Sequence, residues 1–182
     1  MKHFKIIGLA VMAAAALMAF ASTASATVLT SPSGTEYTNT LTSTATESLL
    51  LKAGFANITC TESTVSGKVE VNTTSAEGKI TTLSFGNCGG VTVDVLKNGS
   101  LKVASGGAVT GKESEVTVST LGTSCVYGTG AGTSLGTLKG GTTASLQISA
   151  SLNKISGGFL CANPASWSGK YTVTTPDTLV VD

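Results

Sequence analysis

The sequence predicts an all-β fold: an antiparallel β-sandwich, with a β-barrel as the alternative, built from about a dozen short strands and carrying two disulfides. Three observations predict it. Apolar β-formers alternate with polar residues in stretches such as "KVEV", "VTVDVL", "EVTVST" and "SLQISASL", the period-two pattern of half-buried strands. Gly, Asn and Pro punctuate these stretches at short intervals. Four cysteines, Cys60, Cys88, Cys125 and Cys161, provide an even count in a chain that opens on an export signal.

That signal comes first along the chain. Lys2 and Lys5 precede an almost wholly apolar run from Ile6 to Phe20, and "ASTASA" follows with Ala24-Ser25-Ala26 as a small-x-small cleavage site. This three-part pattern defines residues 1–26 as a secretory signal peptide and 27–182 as a single exported domain. The apolar run is short for a membrane span, and no second one follows. The expected location is secreted or periplasmic, with association to the cell surface and no membrane span after signal removal.

After the signal, "SPSG" reads as a turn and "GTEYTNTLTST" as an extended, Thr-rich segment. "ATESLLLKAGFA" reads equally as one or two helical turns ending at Gly54 or as a strand. Strands follow at "ANITCTE", "TVSGKVEV" and "KITTLSFG", then "VTVDVL" and "SLKVAS", with "KNG" between the last two as a hairpin turn. Further strands are "SEVTVSTL", "TSCVYG", "SLGTLK", "TASLQISASL", "FLC", "SWSGKYTVT" and "TLVV". The favoured cysteine pairing is Cys60–Cys88 and Cys125–Cys161, each clipping one local group of strands, with the chain dividing near Gly106 to Gly111.

Composition excludes several functions. The chain has no Arg, and its only His, His3, leaves with the signal along with Lys2 and Lys5. The remaining lysines are dispersed and slightly outnumbered by carboxylates, so no basic stripe exists to neutralise phosphates and nucleic acid is not an expected partner. Without His, Ser or Cys nucleophiles lack their usual base. The cysteine spacing contains no C-x-x-C, and no metal site or cofactor is expected.

Four stretches still bear on function. "GGAVTGKE", Gly106 to Glu113, completes G-x-x-x-x-G-K but places Glu113 where a phosphate loop needs Ser or Thr, and an alternating strand follows where a helix is required. It therefore reads as a surface turn joining the two disulfide-clipped halves. The run "YGTGAGTSLGTLKGG" from Tyr127 fits no dinucleotide pattern and reads as bends, a bulge or close backbone approach. Glu113 and Glu115, on one strand, would place two carboxylates about 7 Å apart on one face, most simply a solvated face. In "SWSGKYTV", Trp167, Tyr171 and Val173 fall on one side of a strand. Trp167 and Tyr171 are candidate ligand-binding residues, against a plainer reading as core packing.

The frame "ITCTESTVSGKV", "LSFGNCGG", "CVYGTGAGTSLGTLKGG" and "WSGKYTVTTPDTLVVD" resembles a group of small secreted bacterial proteins of uncharacterised role. Through its Gly/Thr-rich composition and "TCT…SG" pattern the chain is more distantly similar to exported proteins described as activators of alkane oxidation. The resemblance implies a small exported β-protein and carries over no catalytic residue. The expected function is that of a non-enzymatic β-domain at the bacterial cell surface or in the extracellular matrix, acting by self-association or adhesion with itself or cell-surface components as partners. The alternative is a binding module for a small apolar or carbohydrate ligand.

Overall fold

The computed structural model describes residues 27–120 and 122–182. Residues 1–26, expected to be a signal peptide, lie outside the described residues. The strands in chain order are β1 (Leu29–Thr30), β2 (Thr40–Ala45), β3 (Leu49–Gly54), β4 (Asn57–Cys60), β5 (Glu62–Asn72), β6 (Ser75–Gly86), β7 (Thr92–Lys97) and β8 (Ser100–Ala104). They continue as β9 (Ala108–Lys112), β10 (Glu115–Thr120), β11 (Thr123–Gly128), β12 (Thr133–Lys139), β13 (Ser145–Gly157), β14 (Cys161–Thr175) and β15 (Val180–Val181). The ambiguous "ATESLLLKAGFA" resolves as strand β3.

Eight strands close a ring in the order β14-β2-β5-β6-β8-β9-β12-β13 and back to β14, every pairing antiparallel. The all-β antiparallel class is as the sequence predicts, and of its two architectures the ring is the barrel. The alternation explains which face turns inward. Along β13, Leu146, Ile148, Ala150 and Leu152 are buried, while Gln147, Ser149, Ser151 and Asn153 are exposed. An eight-stranded barrel leaves an interior just wide enough for such side chains to fill.

Two hairpins are longer than the barrel is tall. The β13–β14 ladder runs only from Ser145↔Thr172 to Leu152↔Ala165. Beyond it β13 pairs with β11, while β14 pairs with β3 along its other edge, at Ser166 to Ser168 alongside the ladder and at Cys161 beyond it. With β4 added to β3, and β10 and β7 added to β11, these outer strands form a second lobe. The hairpin β5–β6 also projects past its last pairing with β8, placing Leu83 and Phe85 against this lobe's core.

Both disulfides, Cys60–Cys88 and Cys125–Cys161, form as paired from the sequence. Their placement corrects the expectation that each clips one half of the chain. All four cysteines belong to the outer lobe, and none to the barrel ring. The ring is held by its own closure, whereas the outer lobe retains strand edges at β4 and β7 and is the part that covalent staples support.

Two turn assignments also change. "KNG" is not a hairpin turn: β7 pairs with β10 in the outer lobe, and β8 pairs with β6 and β9 in the barrel. Asn98 and Gly99 instead carry the chain from one lobe to the other. They are held there by Asn98 Nδ2 donating to the Thr81 carbonyl (3.1 Å) and by Ile80 N–H donating to the Gly99 carbonyl (3.0 Å). The stretch "GGAVTGKE" begins as a turn at Gly106 and Gly107, then becomes barrel strand β9 with Val109 buried. No helix follows Lys112. The crossing between lobes falls later, at Glu113 (φ 56°) and Ser114, whose hydroxyl donates to the Asn98 carbonyl at 2.6 Å and ties the two crossings together. In the Gly-rich run after Tyr127, Gly136 (φ 146°) sits at the β12 register shift, where a Cβ would strike the Gln147 carbonyl. It is the bulge and close approach that the run suggests.

The barrel end remote from the outer lobe is capped by the two-stranded ribbon β1–β15. Leu29 and Leu179 there are fully buried, and Gly106 N–H donates to the Asp182 carbonyl. The side chain of Asn72 fastens the cap. Its Oδ1 accepts from the N–H groups of Val28 and Leu29, and its Nδ2 donates to the carbonyls of Leu29 and Tyr37.

Candidate functional site

The end of the outer lobe gathers four connections, and strand register fixes their neighbourhood. The pair Cys125↔Gly157 sets the β13–β14 connection beside the start of β11. Cys161↔Gly54 sets the β3–β4 connection on its other side, and Ser119↔Thr92 brings the β6–β7 connection beside the end of β10. The sequences spanning these connections, 53–57, 87–91, 119–125 and 156–163, contain no Lys, Asp or Glu. They do contain Cys88, Cys125 and Cys161, so both disulfides anchor this end.

Its tip is the β13–β14 turn. Phe159 is 94% exposed there, and Leu160 beside it is about half exposed at 48%. A fully solvated Phe on a small β-protein is unusual because roughly 1.5–3 kcal/mol is gained by burying such a side chain. The turn depends on Gly157 (φ 124°), where a Cβ would press on the Cys161 sulfur. Thus the disulfide closes against the glycine, and the turn that follows leaves Phe159 and Leu160 exposed. "FLC" reads as a strand from the sequence, but Phe159 and Leu160 form the turn and only Cys161 begins β14. The Gly157-Gly158 pair just before Phe159 is the signal that marks it.

Behind this end, the outer lobe encloses a cavity of about 60 Å³ walled by Leu49, Leu51, Ile58, Leu83, Phe85, Val116, Tyr127, Leu152 and Trp167, among others. Trp167 meets Phe85 edge-on, with ring centroids 6.1 Å apart and planes at 71°. The Tyr127 hydroxyl is turned away to donate to the Ala53 carbonyl at 2.8 Å. The lining hydroxyls at Ser114 and Thr129 are committed to backbone partners. The barrel holds a second apolar cavity, of about 70 Å³, among residues such as Leu41, Val65, Val103 and Leu138. Both are well below the roughly 150 Å³ of an engineered apolar cavity that takes up benzene, so neither encloses a sugar or a long acyl chain.

Trp167 and Tyr171 do not form the joint binding face allowed by their spacing. Tyr171 has no exposed surface, and its hydroxyl hydrogen-bonds with that of Ser63 at 2.9 Å. Burial pushes its pKa up to about 12, partly opposed by the Ser63 bond. Only Trp167, half-buried, reaches a cavity. The carboxylate pair is also dispersed: Glu113 lies in a turn, whereas Glu115 lies on β10 and pairs with Lys97 at 2.6 Å. Among the described residues, no three His, Cys, Asp or Glu side chains gather as a metal site would require. Among the same residues, no helix is long and apolar enough to cross a membrane.

A scan against protein-family models, a search of curated proteins and a search of solved structures each found no match to this chain.

Proposed function

We propose that the protein is an exported, non-enzymatic β-barrel that acts by contact, adhering at the bacterial cell surface or in the extracellular matrix through the end of its outer lobe that bears the exposed Phe159. The observation that carries this reading is Phe159, 94% exposed on a turn held by the Cys125–Cys161 bridge. Two disulfides accord with an oxidising location outside the cytoplasm. The contact end, rather than edge-to-edge strand addition, is the surface the geometry favours. Ring closure removes most sheet edges, β4 is only four residues long, and the β7 edge carries a register irregularity beside Lys97.

Retention on isolated cell envelopes tests the proposal. Phe159→Asp should abolish most of the retention. Val71→Asp, at a residue 49% exposed near the capped end, should leave it intact. Equal retention of both variants and the parent would remove the basis for this reading.

A second reading rests on the outer-lobe cavity. Its apolar lining and satisfied hydroxyls suit a small apolar group and offer a carbohydrate no free polar partner. Trp167 is the only tryptophan, so its emission reports directly on occupancy. Emission that stays constant across a panel of short-chain apolar compounds would count against this function.

A further inference from the structure

We infer that the barrel interior is a binding site for a short-chain alcohol of about three non-hydrogen atoms, whose hydroxyl pairs with that of Ser43. A buried hydroxyl without a partner carries this inference. Ser43 lies on β2 in register with Val65 on β5 and Val173 on β14, both buried. Its neighbour Thr42 faces out, where its hydroxyl meets that of Ser66 at 2.9 Å, so strand alternation turns Ser43 inward. Ser43 is 1% exposed and walls the barrel cavity. Every side-chain nitrogen or oxygen sealed from contact among the described residues has a hydrogen-bond partner. The Ser43 hydroxyl makes no such bond, so its oxygen holds the little surface the residue keeps, and that surface is the cavity's.

The other buried side chains of the wall are apolar, among them Val65, Val103, Val109, Leu138 and Leu146. Lys68, Glu77 and Lys79 border the cavity, but both lysines are exposed and Glu77 is engaged outside the barrel by Lys102 at 2.7 Å and Ser75 at 3.1 Å. No charge is therefore offered to a guest, and the site suits a neutral one. Water fits it poorly, because an internal water needs about two to four polar partners and Ser43 supplies one. A purely apolar guest leaves the hydroxyl buried and unpaired. An alcohol meets both demands: its alkyl part lies against the wall, and its hydroxyl can donate to or accept from Ser43, which does either. The volume sets the size. The cavity's 70 Å³ is about half of the roughly 150 Å³ that admits benzene, which leaves room for a guest the size of ethanol. The outer-lobe cavity lacks this feature, since its Ser114 and Thr129 hydroxyls are bonded to backbone. Leu29 of the capping ribbon forms one wall, so the cap that Asn72 fastens also covers the site. So small a guest binds at best with about millimolar affinity, and the site responds to abundant alcohol and not to traces.

Amide NMR of the isotope-labelled protein, titrated with ethanol, tests the inference, with xenon as a second guest that needs no hydrogen bond. The expected result is saturable shifts at millimolar ethanol, confined to barrel amides such as those of Ser43, Val65 and Leu138. Ser43→Ala should weaken ethanol binding about two- to tenfold and leave xenon entry intact, which shows that the cavity persists. Ala76→Leu, which enlarges a wall side chain that is 2% exposed, should abolish entry of both guests. The same spectra show whether each variant is folded, and if Ala76→Leu is not, Ser43→Ala decides alone. Shifts that grow linearly with ethanol over the whole surface would overturn the inference, as would saturable binding indifferent to Ser43→Ala or surviving in folded Ala76→Leu. Xenon entry without ethanol binding, or a resident water at Ser43 that ethanol does not displace, would overturn it as well.

Discussion

Asn72 shows how one buried amide can hold an architecture together. It is 2% exposed at the end of β5, and its side chain serves four backbone groups of the capping segment. Replacing it with Ala removes this partner from the Val28 and Leu29 N–H groups and the Tyr37 carbonyl, while the Leu29 carbonyl keeps the Tyr37 N–H. Given about 1–3 kcal/mol for each buried group left unsatisfied, offset by water entry, the expected loss is roughly 2–4 kcal/mol in chemical denaturation. Tyr171 gives a pH prediction. Its folded pKa of about 12 lies above the ordinary value of 10.0. Between those values the unfolded chain loses this proton first, so the stabilising contribution is complete below pH 10 and is lost as pH rises towards 12. The drop should be roughly 2–3 kcal/mol. Denaturation midpoints measured at pH 9 and above pH 11 should therefore converge for Tyr171→Phe more than for the parent. At this scale the sequence is only partly readable. The position of Trp167 and Tyr171 on one strand face is legible from their spacing. That the same face passes from the barrel core at Tyr171 into the outer-lobe cavity at Trp167 depends on where β14 changes partners.

At the scale of elements, β13 is legible because one of its faces is buried along most of its length, and strict alternation then records the fold directly. The cysteine pairing is legible for another reason: each bridge joins cysteines consecutive in the chain, 28 and 36 residues apart. "KNG" misleads because turn chemistry is local: Asn98 and Gly99 have the residues of a hairpin, but the partners of β7 and β8 come from elsewhere in the chain. The tip is hidden by its own composition. "FLC" has the residues of a strand, and only the preceding Gly157-Gly158 indicates a turn. The outer lobe should depend on its staples. Replacing Cys125 and Cys161 with Ala, whose bridge spans 36 residues, should cost roughly 3–4 kcal/mol by loop entropy. Amide exchange should quicken first in β10, β11 and the β13–β14 turn and last in the barrel. Uniform acceleration through both lobes would show that they do not differ in their reliance on the bridge.

For the whole molecule, closure and polarity divide the work. The ring buries its edges and needs no disulfide, and the β1–β15 ribbon with Asn72 seals the remote end. The opposite end concentrates glycine, cysteine and apolar side chains, with the Glu62 carboxylate reaching Asn87 at its side. A barrel sealed at one end and bearing an apolar, covalently braced tip at the other is a scaffold for presenting that tip. The most direct measurement is hydrogen–deuterium exchange of the protein held on cell envelopes, compared with the protein free in solution. The account predicts new protection at the amides of 157–161 and of the adjoining connections 54–56 and 88–91, with β1 and β15 unchanged. Protection centred on the capped end or along the β7 edge, with the tip exchanging as in solution, would contradict it.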